Sequence, residues 1–348
     1  MIEIYETIVI GAGISGATAA RMLGEYGGKV LVLEKARGSG GRLASKRIRT
    51  EAGDELAFDL GCESFGAQTG TFRSALQEWE SVGLVHRLQR EGNGQPLWVG
   101  ASRNSALTRA MLGDLPVAFG VRVTEITYQD GVWQLQAIRG DNEIRQYAAR
   151  SLILSAPAQQ TRDLLPNGHP FIEKLAPAVI RPQWVVVLAV PRRADFSRGL
   201  QELGRIKSLR AMPEQDAIDV ISFESEKPSR PANNDFDIYQ IQLTSQWTEN
   251  RIDWPREQVL NALIDELEAQ TGCASKFEAA HVHRWLYAFS GGAASEHSYL
   301  LDDSGLGVCG DYFCASGKHD GVESAYLSGR RLAEACIARA GAGAELGA

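Results

Sequence analysis

The sequence predicts an α/β fold: a discontinuous Rossmann-like nucleotide domain with a mostly antiparallel α+β domain inserted into it. Three observations support this. Residues 7–34 run strand, glycine-rich turn, helix, strand and acid, the order that a dinucleotide site requires. From Ala158 to about Phe289 the pattern changes to strands punctuated by Pro177, Pro182, Pro191, Pro213, Pro228 and Pro231. An apolar strand at Gly305–Cys309 and a helix opening at Gly321 then return the chain to the first pattern.

Thr7–Ile10 is a short apolar run with β-branched residues, which reads as a buried parallel strand. The turn that follows is Gly11-Ala12-Gly13-Ile14-Ser15-Gly16. Gly11 permits the tight bend, Gly13 lets a pyrophosphate approach the backbone, and Gly16 lets the helix Ala17–Leu23 lie close on the strand. Free N–H groups at the helix start, with the helix dipole, suit phosphate charge. Lys29–Leu33 is the second strand, and Glu34, followed by Lys35, sits where a carboxylate can accept from the adenosine ribose. Then comes Arg37-Gly38-Ser39-Gly40-Gly41-Arg42, a glycine doublet and one guanidinium. It extends the phosphate surface, because the planar fork of Arg grips phosphate oxygens. This second element resembles the signature of a large FAD group that contains amine oxidases, phytoene desaturases and protoporphyrinogen oxidases. FAD is therefore the expected cofactor.

The chain of 348 residues is long enough for two domains. A net charge of −7 and the lack of a basic tract argue against a nucleic-acid partner. The longest apolar run, Trp184–Val190, is strand-sized, so no membrane span is expected. The first strand begins within ten residues of Met1, which leaves no room for a signal peptide. The five cysteines (62, 273, 309, 314 and 336) are odd in number and form no CxxC, and read as reduced thiols of a cytoplasmic protein.

Along the chain, Ala57–Leu60 reads as a strand that Gly61 ends. Thr71–Val82 carries Phe72, Leu76, Trp79 and Val82 at spacings of three and four, an amphipathic helix with Trp79 in the core. Glu91–Gln95 is a turn, Ser105–Leu112 a helix, and Pro116–Thr127 gives strands. Val132–Arg139 and Ile144–Ala148 form a hairpin about Gly140-Asp141-Asn142, and Leu152–Leu154 is a buried strand before Ser155-Ala156-Pro157. The inserted region holds strands at Trp184–Val190, Ala217–Phe223 and Ile238–Leu243, a loop at Lys227–Asn234, and a helix at Arg256–Thr271. The expected division is 1–68, 101–158 and 290–338 for the nucleotide domain, 69–100 and 159–289 for the substrate domain, and 339–348 for a disordered, low-complexity tail.

The likeness to the FAD group implies further roles. Its Phe-Asp-x-Gly element returns the chain to the flavin ring, which places Gly61, Ser64 and Phe65 beside it; the alternative is a corner with Phe65 in the core. A strand that lends backbone to the adenine corresponds to Val123, and the Ala-x-Pro exit of the nucleotide domain to Ala156. The Gly310-Asp311 pair would meet the ribityl chain or pyrophosphate, and Gly321, Val322 and Ala325 open a helix aimed at the flavin pyrimidine. Nearly the whole chain resembles bacterial members of the renalase family. The carriers are GAGISGATAA, EKARGSGGR, AFDLG, WVG with ALTRAMLGDLPV, SAPA, TSQWT, HRWLYA, VCGD and GVESAYLSG. That resemblance implies non-covalent FAD and oxidation of 1,2- or 1,6-dihydro isomers of NAD(P)H to NAD(P)+. A hydride goes to the flavin, and O2 or another acceptor such as a quinone reoxidises it. Cys62–Gly66 and Tyr312–His319 depart from the family's pattern.

Hydride transfer needs a donor carbon positioned over the ring and water kept out, not a metal or a nucleophile. His283, Trp285 and Tyr287 alternate on one strand face, which we expect on the substrate side. Trp285 would shape the slot, and His283 would orient a carboxamide or hold charge; the same alternation also describes a core face with one satisfied histidine. A zinc hydrolase would use His281 and His283 with His297, His319 or Asp311, but HxH is common in plain strands and Asp311 has a better role, so no metal is expected. An amine oxidase would use a lysine near the flavin, and Lys174, Lys207 and Lys276 stand in no matching motif. Amine oxidation and desaturation of another small molecule are the alternatives within flavin chemistry.

Overall fold

The structure is a computed structural model that describes residues 2–50, 53, 55–88, 96–209, 216–230, 235–290, 294, 297–313 and 321–346. The expected turn at Glu91–Gln95, and Cys314 and His319, lie outside them. The first half of the chain holds β1 (Ile4–Ile10), α1 (Ile14–Glu25), β2 (Val30–Glu34), β3 (Ser45–Arg49), β4 (Glu55–Asp59), α2 (Gly70–Ser81), β5 (Val85–Leu88), β6 (Leu97–Gly100), α3 (Ser105–Leu112), β7 (Val117–Phe119), β8 (Val121–Gln129), β9 (Val132–Arg139) and β10 (Glu143–Leu154). The second half holds α4 (Ala158–Leu164), α5 (Phe171–Leu175), β11 (Ile180–Pro191), α6 (Asp195–Leu209), β12 (Ile218–Phe223), β13 (Phe236–Leu243), α7 (Ser245–Glu249), α8 (Arg256–Thr271), β14 (Ala279–Ser290), β15 (Leu300–Leu301), β16 (Leu306–Val308) and α9 (Gly321–Leu346).

The main sheet runs β15-β16-β10-β1-β2-β7, and its inner pairs are parallel. β10 also carries the β8–β9 pair on its first half. The two strands expected at Ile144–Ala148 and Leu152–Leu154 are thus one strand, whose start is a hairpin arm and whose end is a central parallel strand. One face of this sheet packs on α1, α2, α3 and α9, where Phe72, Leu76 and Trp79 join Val9, Ala17 and Tyr326. Burial of each such side chain stabilises by roughly 1.5–3 kcal/mol. The other face carries Trp133, Leu152, Leu165, Phe171 and Leu175.

The second sheet is antiparallel, in the order β12-β13-β11-β14. β11 is buried on both faces, which explains its unbroken apolar run. Val186, Leu188 and Val190 face α6 and α8, whereas Val187 and Ala189 face Leu56, Phe58 and Leu60 on the β3–β4 hairpin. The helix α6 was not visible in the sequence.

Three boundaries differ from expectation. Residues 69–100 were expected with the antiparallel unit, yet α2, Val85 and Trp98 lie in the core of the parallel sheet. Phe171 and Leu175, expected in the same unit, pack beneath β10. The tail expected to fray is helix through Leu346. Its alanines favour that state, and Arg339 anchors it by donating to the Asp302 and Asp303 carbonyls. No helix among the described residues is long and apolar enough to cross a membrane.

Candidate functional site

The glycine turn sits at the carboxyl end of β1, the place where open α/β sheets bind ligands. Gly11 has φ +107 and donates its N–H to Leu33 at 2.9 Å. A Cβ on Gly16 would collide with the Gly11 carbonyl oxygen, so the helix lies on the turn as expected. A Cβ on Gly13 would meet nothing within 4 Å. No side chain caps α1, which begins at Ile14 and Ser15, so its first N–H groups face this open space. Glu34 is buried, and its two oxygens accept from the Ala12 and Ala36 N–H groups, each at 2.7 Å. It therefore ties the second strand to the turn, and offers a ribose only its remaining lone pairs. Lys35 donates to Gln160 at 2.9 Å; burial lowers its pKa, with Glu34 opposing and Arg122 assisting. Val123 of β8 is half-buried against the second core.

The second glycine segment lies against the first. Gly40, with φ +131, donates to Ala12 at 2.9 Å, and a Cβ on Gly41 would come within 3.4 Å of the Gly13 Cα. Arg42 was expected to grip phosphate. Its fork closes instead on the buried carboxylate of Asp311, with Nη1 to Oδ2 at 2.7 Å, and Nη1 also donates to the Ala288 carbonyl at 3.1 Å. Ser290 donates to the same carboxylate at 2.6 Å. Burial alone would raise the Asp311 pKa, but the Arg42 guanidinium holds it below the usual carboxylate range. The carbonyl of Ala156 accepts from Tyr312 at 3.2 Å, and Gly310 leaves room for that ring.

At the start of α9, Gly321 is exposed while Val322 and Ala325 turn into the core. Glu323, which the sequence did not single out, accepts from the Gln68 and Thr69 N–H groups at 2.8 Å each, and so ties this helix to the start of α2. The Ser324 hydroxyl beside it is buried and has no hydrogen-bond partner among the described residues.

The turn after β4 runs close to Arg42: a Cβ on Gly61 would strike the Arg42 carbonyl oxygen, and the Cys62 N–H donates to that oxygen at 2.9 Å. Ser64 is half-buried. Phe65 departs from the ring-facing expectation. Its side chain is fully buried in the core, and its backbone pairs with Trp98 in both directions. The apolar demand of the core outweighs ring contact for this side chain.

Of the three β14 residues, His283 and Trp285 lie together, with ring centroids 4.6 Å apart and edge to face. The Trp285 indole donates to the Leu60 carbonyl at 3.0 Å, next to Gly61. Tyr287 points along the same face but packs against the second core. His281 stacks on His283 and meets Lys46 at 3.3 Å. Burial lowers the pKa of both imidazoles to about 4, helped by the positive charges of Lys46 and Arg256. This shift favours the neutral imidazole and with it the carboxamide-orienting role expected of His283 over the charged one. Among the described residues no three His, Cys, Asp or Glu side chains gather at metal-binding distance, and His319 lies outside them.

Residues 65–337 match the family described as flavin containing amine oxidoreductase, and residues 9–79 match the NAD(P)-binding Rossmann-like domain. A 144-residue stretch is 31% identical to the lysine-specific histone demethylase 1 homolog 3 of Oryza sativa subsp. indica, and equally to that of subsp. japonica. It covers 36% of this chain and only 17% of those relatives. Among solved structures, a putative protoporphyrinogen oxidase from Exiguobacterium sp. 255-15 aligns with a TM-score of 0.69 at 12% identity, covering 97% of this chain and 100% of the other. Cyclohexylamine oxidase from Brevibacterium oxydans IH-35A aligns with a TM-score of 0.63 at 14% identity, covering 97% and 99%. At these identities the likeness is one of fold.

Proposed function

Because the chain belongs to the family of flavin-containing amine oxidoreductases, we propose that it is a renalase-like oxidase of dihydronicotinamide nucleotides, taking a hydride from 1,2- or 1,6-dihydro isomers of NAD(P)H. Its cofactor is FAD, which supplies a two-electron acceptor and leaves the protein to bind, orient and exclude water. The uncapped start of α1 and the open space at Gly13 fit a pyrophosphate. On this reading Gly11–Gly16 and Gly41 hold the phosphates, and Glu34, Lys35, Val123 and Ala156 line the adenosine half. Arg42, Gly310 and Asp311 flank the ribityl chain. Gly61, Ser64 and the start of α9 at Gly321, Val322 and Ala325 border the ring, with Phe65 supporting from the core.

One observation favours the substrate. Beside Trp285 lie two imidazoles whose pKa values burial lowers to about 4, and the cations Lys46 and Arg256 act on both. Such a rim attracts a phosphate-bearing donor and repels an ammonium. Lys227, a buried lysine on the far side of β4, is committed to Asp59 and Glu224. Trp285, fixed through its indole N–H, makes a flat wall for a nicotinamide, and neutral His283 orients the carboxamide by a hydrogen bond. The antiparallel sheet thus serves the substrate and the parallel sheet the cofactor. A cytoplasmic setting, with O2 or a quinone as final acceptor, completes the reading.

Anaerobic mixing of the holoprotein with separated dihydronicotinamide isomers tests it. Flavin absorbance should bleach with a 1,2- or 1,6-dihydro isomer and not with NADH or amines. Bleaching by amines alone would move the activity to amine oxidation, the chemistry named for the cyclohexylamine oxidase that shares the fold.

A further inference from the structure

Behind the Gly61–Cys62 turn lies a buried polar assembly that neither the sequence motifs nor the proposed reaction uses. Asp59, Glu224, Lys227 and Arg230 are four charged side chains, each at most 3% exposed. Lys227 pairs with Asp59 at 3.2 Å and with Glu224, and Arg230 pairs with Asp59. The other Asp59 oxygen accepts from Ser45 and from the Asn104 N–H, both at 2.8 Å. Arg230 also donates to the Gly100 carbonyl at 2.8 Å, and the Gly100 N–H donates to the Asn104 side chain at 2.7 Å. Arg230, Asp59, Asn104 and Gly100 thereby close a ring of hydrogen bonds. From it the Asn104 amide reaches out to the Cys62 carbonyl at 2.7 Å. On the opposite side Gln240 donates to the Asp59 and Gly61 carbonyls at 2.8 and 3.0 Å, and Gln242 donates to Gly61 at 2.8 Å.

Two consecutive carbonyl oxygens are thus each capped by side-chain amides; the Asn104 amide is itself held by the Gly100 N–H and its backbone by Asp59, and the two glutamine amides hold each other. A buried charge cluster is a poor source of stability compared with apolar packing, so its retention asks for another role. We propose that Asn104, Gln240 and Gln242 are positioning residues that fix the orientation and the partial charge of the Gly61–Cys62 turn beside the flavin, with the Asp59 cluster as their anchor. Capping neutralises two electronegative ends next to a ring that gains electrons on reduction. An uncapped oxygen there disfavours the reduced ring and lets the turn shift. The inference rests on the proposed placement of the ring against this turn.

Asp59 variants strand the buried Arg230 and test folding only. The informative variant is Gln242→Met in the FAD holoprotein, which keeps volume and removes the shorter of the two donors to the Gly61 carbonyl. FAD content and thermal unfolding should stay near wild type. The midpoint potential, read by dithionite titration against a reference dye, should fall, and hydride bleaching should slow by about tenfold. Gln242→Asn, which retains a donor, should recover part of the potential. A wild-type potential in Gln242→Met would overturn the proposal. Alkylation of Cys62 by N-ethylmaleimide, mapped by peptide mass, tests the placement separately. Protection by FAD supports a ring beside the turn. Equal labelling of apoprotein and holoprotein would remove the ring from the turn, and the positioning role with it.

Discussion

The two walls of the site are built by different means. The wall at Gly11–Gly16 and Gly40–Gly41 is made of backbone: bends that glycine permits, a helix start and N–H groups, with Glu34 as its one buried charge. The wall at Gly61–Cys62 is made by side chains from β4, β13, the residue before α3 and the 224–230 segment, which meet only in three dimensions. The first can be rigid with almost no sequence beyond its own stretch. The second is rigid only if residues 45, 59, 104, 224, 227, 230, 240 and 242 are all in place.

Substitutions should separate the two. Asp59→Ala leaves Arg230 buried without its carboxylate and Lys227 with Glu224 alone, and should lower stability by roughly 3–5 kcal/mol in denaturant unfolding. A loss near that of a surface substitution would mean that the cluster is hydrated and the second wall soft. Gly16→Ala drives a Cβ into a backbone oxygen that cannot swing aside, and should cost about 3 kcal/mol together with FAD content. Retention of FAD at wild-type stability would show that the first wall yields. Glu34→Ala should weaken FAD binding about tenfold in a titration of the apoprotein, the scale of losing hydrogen bonds to a charged group. An unchanged Kd would confine Glu34 to a purely local role.

The smallest effect is a pH dependence. Both imidazoles of the rim have folded pKa values of about 4 against 6.5 when free. Folding therefore disfavours their protonation, so stability is intact above pH 6.5 and falls as pH drops toward 4. His283→Gln should flatten that fall in a series of thermal melts. The rate of flavin reduction should show no inflection at pH 6.5 from His283, and one there would restore a charged role for this residue.

The same contrast explains what could be read from the sequence. The glycine turn, Glu34 and the returning strand and helix were legible because each is a local pattern with a local cause. The side-chain wall was not. Lys227 and Arg230 lie in a segment rich in Glu, Ser and Pro that reads as a solvated loop, and their burial depends on the distant Asp59 together with Glu224. Asn104, Gln240 and Gln242 are ordinary polar residues until their carbonyl partners are known. The pairing of Arg42 with Asp311 was also out of reach of the sequence, since nothing local links the two. The helix α6 was hidden by Gly199 and Gly204, which weaken a helical pattern. They are there for close approach: a Cβ on Gly199 would come within 2.8 Å of Thr271, and one on Gly204 within 3.3 Å of Phe223.

The double role of β10 bears on how such a chain assembles. Ala148 and Ala149 pair with Gln134 and Trp133 across a short hairpin, and also with Ile4 and Tyr5 nearly 150 residues away. The hairpin closes a loop of only a few residues, an event of roughly microseconds, whereas the parallel pairing must gather distant segments. Once β9 has straightened the first half of β10, its second half leaves the hairpin already extended and in phase. The slowest contacts of the parallel sheet can thus start from a template that the local β9–β10 hairpin provides.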